Sequence, residues 1–406
     1  MWIDKLMPKI AILLPREPDL GYIWRARAFA NSLVAFSSNT APIQVIIGLP
    51  DGCVNWEKNA DRFRAISSLV TVRRMTWETL DASTVARMHD MDEVGPPGVE
   101  QLRLPRDAGW SFRDCDLWLL CPSLSMGAVA EVIPSVVYCR DLSQRYVPRL
   151  VGQDRNDPAW DRMVDGFRDW RRRNCILASS YKTLGDLSSF AGVRAENCHK
   201  LPSMWNYFRV GGLGPQTGSR NHILILCDAG PRHDILFAIE AYVHYLQAGG
   251  TLDLVIAGPN AKILNPGRDS DHPIAQALDA YRSTTKDKVH FENISDDDDL
   301  IRLIHRSGVI WSTAITEGEP DALALAAHAE LPFIGCDFPA LRELADELKL
   351  SPALYQPGDA QVIAGLLVQT VKNRLSVGKL NTGKTEMYKA MAKVKHLITD
   401  GIGLET

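Results

Sequence analysis

The chain has 406 residues, 46% of them hydrophobic and 23% charged, with a formal net charge of -4 and an isoelectric point near 6.2. Single hydrophobic cores rarely grow past roughly 250–300 residues, so this length predicts two domains. The slightly acidic balance argues against a polyanion binder, which would normally carry a basic domain or stripe, and so against nucleic acid as a partner.

Short apolar runs alternate with longer amphipathic segments along the whole chain, the pattern of βαβ units building parallel sheets. The expected strands of the first half are 9–14 (KIAILL), 44–48 (QVIIG), 117–121 (LWLLC), 136–139 (VVYC), 175–178 (CILA) and a weaker one ending at Pro202, with helices over 22–36, 165–173 and 182–190. The stretch 210–221, VGGLGPQTGSRN, holds four glycines and a proline and is the best linker candidate. Beyond it, strands are expected at 223–227, 252–257, 289–291, 308–312 and 333–335. Helices are expected at 234–246, 274–281, 297–306, 321–329, 340–348 and 359–373. The tail 385–398 reads as one more helix, with Met387, Met391, Val394 and Leu397 at helical spacing.

The eight cysteines are scattered without a C-x-x-C pair and several sit in apolar runs, so they read as reduced, buried thiols. The first residues, MWIDKLMPKIAILL, lack a long apolar core with a cleavage site, and no run approaches the roughly 18 apolar residues of a spanning helix. A cytoplasmic protein is expected, with peripheral contact at the inner face of a membrane left open.

In an open parallel sheet, ligands bind beyond the carboxyl ends of the strands, where the strand order reverses. That rule directs attention to the segment 311–332, WSTAITEGEPDALALAAHAELP, a strand, a polar loop and a helix of small residues. A helix beginning just after Gly318 offers backbone N–H groups and a positive dipole end to a diphosphate. Glu317 in that loop is suited to accept from sugar hydroxyls, although a Glu-Gly pair is also an ordinary turn. The run Asp296–Asp299 opens a helix and offsets its dipole. No histidine shows metal-ligand spacing, and no metal is expected.

The segment 311–332 resembles the signature of glycosyltransferase family four, in which a Ser-x-x-E-G loop leads into a helix with a second glutamate eight positions on. Glu317 and Gly318 match its start, and Pro332 with the following strand matches its end. The second glutamate falls on Leu325, and the family's glycine before the proline dyad is Glu330. In the following unit, GCDFPALRELADEL, Arg342 and Glu343 occupy the point where the family carries a helical Glu. The loop CDAGPRHDILFAIEAY aligns Asp228 and His233 with the family's Arg and Lys, leaving Arg232 to supply a positive charge or to be a solvated loop residue. Further towards the start, VVYCRDLSQRYVP is similar to the strand-loop of bacterial mannosyltransferase-like members, with Arg140 and Asp141 in place of a His-Asp or Tyr-Asp pair. Ser180 and Thr183 match a Ser-x-x-Thr helix start, and Gly21 lies where members carry a glycine-rich loop. Arg25 and Arg27 read as solvated residues of the first helix, with contact to an anionic acceptor or phosphate as the alternative.

The resemblance implies an α/β chain of two facing Rossmann-like domains, the GT-B architecture. It implies an acceptor-side domain over 1–209, a nucleotide-sugar domain over 210–384, and a C-terminal helix, 385–406, returning to the first. It also implies retaining transfer of a hexose from a nucleotide diphosphate sugar to a saccharide, lipid-linked or protein acceptor, without cofactor or metal, in bacterial polysaccharide or glycoconjugate synthesis. Glu317 would then meet the donor sugar, with Arg232, His233, Gly318, Glu319, Asp321 and Ala322 by its phosphates. Asp141 and Arg140 would sit towards the acceptor, and Gly21 near donor or acceptor. A degenerate GT-B binding protein and a nucleotide-sugar epimerase share the architecture and stay open.

Overall fold

The computed structural model describes residues 7–35, 42–108, 111–150, 157–203, 220–228, 230–265, 271–285, 287–373, 376–380 and 384–400, the side chains of 124, 384–387 and 400 excepted. All but the last two residues of the expected linker lie outside this set. Two compact units result, one formed by Met1–Phe208 with Thr382–Thr406 and the other by Arg209–Asn381.

The first unit contains β1 (Lys9–Leu13), β2 (Gln44–Pro50), β3 (Val70–Asp81), β4 (Gln101–Arg106), β5 (Leu117–Leu120), β6 (Ser135–Cys139), β7 (Ile176–Ala178) and β8 (Cys198–Lys200). They form one sheet in the order β4-β3-β2-β1-β5-β6-β7-β8, parallel except for the antiparallel edge pair β3–β4. The central strands are apolar without interruption because both faces are covered: Ile10, Ile12, Ile46, Trp118 and Val137 are fully buried. Strand β3 departs from that pattern, since VTVRRMTWETLD is largely half-buried or exposed, and a search for apolar runs passes over it. The helix expected at 165–173 starts earlier, at Pro158, because Asp157 caps it by accepting from the Ala159 N–H and Pro158 needs no partner in the first turn. Helix Lys384–Asp400 belongs to this unit: it packs beside helix Leu20–Ala35, and the Cys175 thiol donates to the Leu397 carbonyl at 3.6 Å.

The second unit contains β9 (His222–Leu226), β10 (Asp253–Gly258), β11 (Val289–Asn293), β12 (Ser307–Ser312), β13 (Phe333–Cys336) and β14 (Ala353–Tyr355), all parallel, in the order β11-β10-β9-β12-β13-β14. Trp311 is buried at its centre, and its indole N–H donates to the Tyr355 hydroxyl at 3.1 Å. Both sheets are doubly wound. In the first, the chain runs from β1 outwards through β2 and β3, then through β5 to β8 on the other side. In the second it runs from β9 through β10 and β11, then from β12 to β14. The order therefore reverses between β1 and β5 and again between β9 and β12, which fixes where crevices form in each sheet.

Candidate functional sites at the two strand reversals

At the reversal in the second unit, the loops after β9 and β12 run side by side. His233 and Ala314 form an antiparallel bridge, the Ile315 N–H donates to the Arg232 carbonyl at 3.0 Å, and the Asp234 N–H donates to the Thr313 carbonyl at 3.3 Å. Asp234 then caps helix Ile235–Gln247 by accepting from the Phe237 N–H. The backbone pairing thus brings Arg232 and His233 next to the loop that carries Glu317 and Gly318. Glu317 is half-buried, while Gly318 and Glu319 are buried.

Helix Asp321–His328 follows without a side-chain cap, and its first turn partly satisfies itself: Asp321 N–H donates to Glu319 at 2.9 Å and Leu323 N–H to Pro320 at 3.2 Å. Asp321 is half-buried and Ala322 buried at that start. Leu325 is a core residue of the same helix, 2% exposed, so an apolar side chain at this position belongs to the packing of β12 against the helix. Glu330 ends the helix in the left-handed region, φ 51°, which is the conformation a glycine adopts most readily and accounts for the glycine expected there.

The charges of the β9 loop are internally matched. The Arg232 guanidinium donates to Asp228 Oδ2 at 2.7 Å, and the Gly230 N–H donates to Asp228 Oδ1 at 3.0 Å. His233 is 4% exposed, and burial lowers its pKa to about 4, so the ring is neutral at neutral pH. For Asp228, burial alone would raise the pKa, but Arg232, His233 and the Gly230 N–H together outweigh it and hold the carboxyl below its ordinary value. Arg232 is thus an ion-paired residue of this loop, not a solvated one. Arg342, on helix Pro339–Leu348, is likewise committed to Asp337 in the loop after β13, which also accepts from Gln356 at 2.9 Å.

In the first unit, Gly21 and Arg140 meet at the reversal between β1 and β5. Arg140 follows β6, and its guanidinium donates to Asp19 at 2.7 Å and lies 5.3 Å from the centre of the Tyr22 ring. Tyr22 reaches the loop after β5 by donating to the Pro122 carbonyl at 3.2 Å. Asp141 turns back on its own chain, accepting from the Ser143 N–H at 3.0 Å. Ser180 caps helix Tyr181–Ser189 by accepting from the Thr183 N–H. Arg25 departs from the solvated reading: it is 7% exposed, on the buried side of helix Leu20–Ala35.

Sequence reasoning overlooks Asp19 and Tyr22, whose partner lies across the unit. It also overlooks Gly258, where a Cβ would collide with the Cys227 carbonyl oxygen, so that the ends of β9 and β10 close together only around glycine. A third omission is the cluster in which Asp186 accepts from Arg145 at 2.9 Å, Tyr146 at 2.8 Å and Lys182 at 3.2 Å. Among the described residues, no group of three or more His, Cys, Asp or Glu side chains is arranged to hold a metal ion, and no helix is long and apolar enough to cross a membrane.

Two successive doubly wound parallel-sheet units with these connections have the GT-B fold of glycosyltransferases. Among solved structures, HepE of Anabaena in complex with UDP-glucose is similar over 98% of this chain and 96% of its own, with TM-score 0.60 and 13% identity. Sucrose-phosphate synthase from Thermosynechococcus elongatus matches over 98% and 96% with TM-score 0.58 and 14% identity, and a glycosyltransferase from Rickettsia africae over 98% and 95% with 0.54 and 11%. No protein-family model matches the chain, and no curated protein matches it in sequence.

Proposed function

We propose that the chain is a glycosyltransferase that takes a hexose from a nucleotide diphosphate sugar and moves it, with retention at the anomeric carbon and without a metal, to an acceptor hydroxyl. The observation that carries this reading is the pairing of the β9 and β12 loops at the strand reversal, which sets Arg232 and His233 beside the Glu317-Gly318 turn. In this reading Glu317 accepts from hydroxyls of the donor sugar, and the start of helix Asp321–His328, with Gly318, Glu319 and Ala322, lies towards the phosphates. Arg140 and Asp141 serve the acceptor, with Gly21 making room for the guanidinium.

The bond between the anomeric carbon and the phosphate oxygen breaks with its electron pair passing to the diphosphate. The acceptor hydroxyl attacks from the same face and gives its proton to the departing phosphate. Negative charge grows on that leaving group, so fixed donors aimed at it accelerate the step. The GT-B fold shared with HepE, solved with UDP-glucose, supports a nucleotide-sugar donor. The resemblance of the Val136–Pro148 segment supports a role in bacterial polysaccharide or glycoconjugate assembly, at the inner face of the membrane.

A second reading is favoured by the matched Asp228–Arg232 pair, neutral His233 and buried Leu325: a GT-B protein that binds a partner without transfer. Calorimetry with a panel of nucleotide sugars, followed by product analysis with saccharide acceptors, separates them. Donor-dependent heat with acceptor-dependent product supports transfer. Turnover of donor without acceptor points to epimerisation, and no heat with any donor removes the proposal.

A further inference from the structure

The outer half of β3 leaves the parallel sheet of the first unit. Val70–Met75 pairs with β2, but Thr76–Asp81 pairs antiparallel with β4, and the resulting ribbon reaches over the carboxyl ends of the central strands. It is pinned on both sides of the strand reversal. The Trp77 indole N–H donates to the Leu14 carbonyl, just after β1, at 2.9 Å. In the loop after β5, the Ala128 carbonyl accepts from the Arg103 N–H at 2.8 Å, and the Ala130 N–H donates to the Arg103 carbonyl at 2.9 Å. The same loop holds two guanidinium groups on adjacent carbonyls: Arg103 Nε donates to Met126 at 3.0 Å, and Arg162 Nε, from helix Pro158–Trp170, to Ser125 at 3.1 Å. Thr79 accepts from a further Arg103 nitrogen. A guanidinium has five N–H donors, so both side chains keep N–H groups for a ligand. Burial lowers the Arg103 pKa, and Arg162 and exposed Arg16, just beyond β1, lower it further. Among the described residues no carboxylate pairs with any of the three arginines. Like charges gathered in this way repel, and half-burying Arg103 without a counter-ion adds to the cost, a conflict that folded chains retain at binding sites.

We infer that Arg103 and Arg162, with Arg16 adding charge, bind a phosphoryl group, and that the acceptor carries this group in addition to the hydroxyl that receives the sugar. Guanidinium forks match phosphate oxygens in shape and charge, and a crevice lined by one sign of charge concentrates the anion. A neutral saccharide leaves the three cations unrelieved, so the phosphoryl group decides which acceptors are taken. The inference rests on the proposed transferase reading only in naming the ligand an acceptor.

The test measures binding to the full chain without any donor. One arm titrates glucose 6-phosphate and, as its uncharged counterpart, glucose; the other sediments the protein with phosphatidylcholine vesicles, with and without phosphatidic acid. Binding of the phosphorylated probe in the first arm marks a soluble phosphosugar as the source of the group, and in the second a lipid phosphate. In whichever arm binds, Arg162→Ala is expected to weaken binding by about tenfold, and Arg103→Gln likewise. Arg162→Ala removes no ribbon contact and carries the test if Arg103→Gln does not fold. Arg168→Ala, an exposed arginine of the same helix paired with Asp165 at 3.1 Å, is expected to change nothing. Binding in neither arm, binding that survives loss of Arg103 and Arg162, or an equal loss in Arg168→Ala overturns the inference. Transfer is read separately with the panel of nucleotide sugars. Its absence with arginine-dependent phosphate binding intact counts against the transferase reading alone, and transfer to neutral saccharides as fast as to their phosphates counts against the phosphoryl site alone.

Discussion

The guanidinium of Arg140 passes so close to Gly21 that a Cβ on Gly21 would lie 2.5 Å from Nη2. Gly21 stands in the first turn of helix Leu20–Ala35, a position where alanine is the better helix former by about 0.5–1 kcal/mol. The obstruction is the far end of a flexible side chain, so Gly21→Ala is expected to keep or slightly raise the melting temperature while pushing Arg140 off Asp19. If Arg140 serves the acceptor, kcat/KM for the acceptor falls by about tenfold or more, the cost of a misplaced positioning group. Transfer at the wild-type rate in a folded Gly21→Ala protein would remove Arg140 from the site.

Glu317 is a half-buried loop residue, and its removal leaves no cavity in the core. Glu317→Ala is therefore expected to melt within about 3 °C of wild type, as surface-loop substitutions do. Loss of a group that grips the donor sugar in the transition state lowers transfer by about a hundredfold or more. Product formation and a melting curve on the same sample check both parts, and near-normal turnover sinks the assignment.

The parts of this fold that can be read from sequence are those with a local cause. Strands β1, β2 and β9 are buried on both faces and so appear as apolar runs, whereas β3, exposed along much of its length, carries Arg73, Arg74 and Glu78 and hides among polar segments. The three-residue β14 is too short to show a period. The Glu317-Gly318 turn is legible because strand, loop and helix follow one another. The Arg140–Asp19 pair is not, since 121 residues separate its members and only the sheet order, with β5 alone between β1 and β6, brings the loops that follow these strands together. The β9 loop is intermediate: the loss of two cations is visible in the string of letters, but the capture of Arg232 by Asp228 depends on side-chain geometry.

His222 supplies a test by pH. It is 3% exposed at the start of β9, with Nε2 3.1 Å from the Leu303 carbonyl and 3.1 Å from the Ser307 hydroxyl, and Nδ1 3.2 Å from Asn221 Oδ1. Burial lowers its pKa from 6.5 to about 4, with Arg306 and His290 adding to the effect and the Leu303 carbonyl and Asp253 opposing it. The unfolded chain therefore binds the proton first, and stability is complete above pH 6.5. It is lost progressively as pH falls towards about 4, by on the order of 3 kcal/mol from this residue. Buried His233 adds to the slope in the same window and the same sense. Urea unfolding across that range is expected to show a shallower pH dependence for His222→Gln than for wild type. An unchanged slope would mean that His222 is not held neutral.

Glu330 sets a last expectation, on the turn that links helix Asp321–His328 to β13. Its φ of 51° costs an L-residue about 1 kcal/mol, yet the turn is closed by Glu330 N–H to Ala327 at 3.3 Å and Leu331 N–H to Ala326 at 2.9 Å. The side chain offers partial compensation through Lys379, 2.7 Å away, but that lysine is 77% exposed and such pairs contribute about 0–1 kcal/mol. Comparing Glu330→Gly with Glu330→Ala removes the carboxylate in both and isolates the backbone. The glycine variant is expected to be the more stable by about 1 kcal/mol, because relief of the left-handed strain exceeds the extra entropy that glycine brings to the unfolded chain. Chemical denaturation of the two variants measures the difference directly. Equal stabilities would show that this turn does not hold residue 330 in the left-handed region, and the glycine expected before Pro332 would then need another cause.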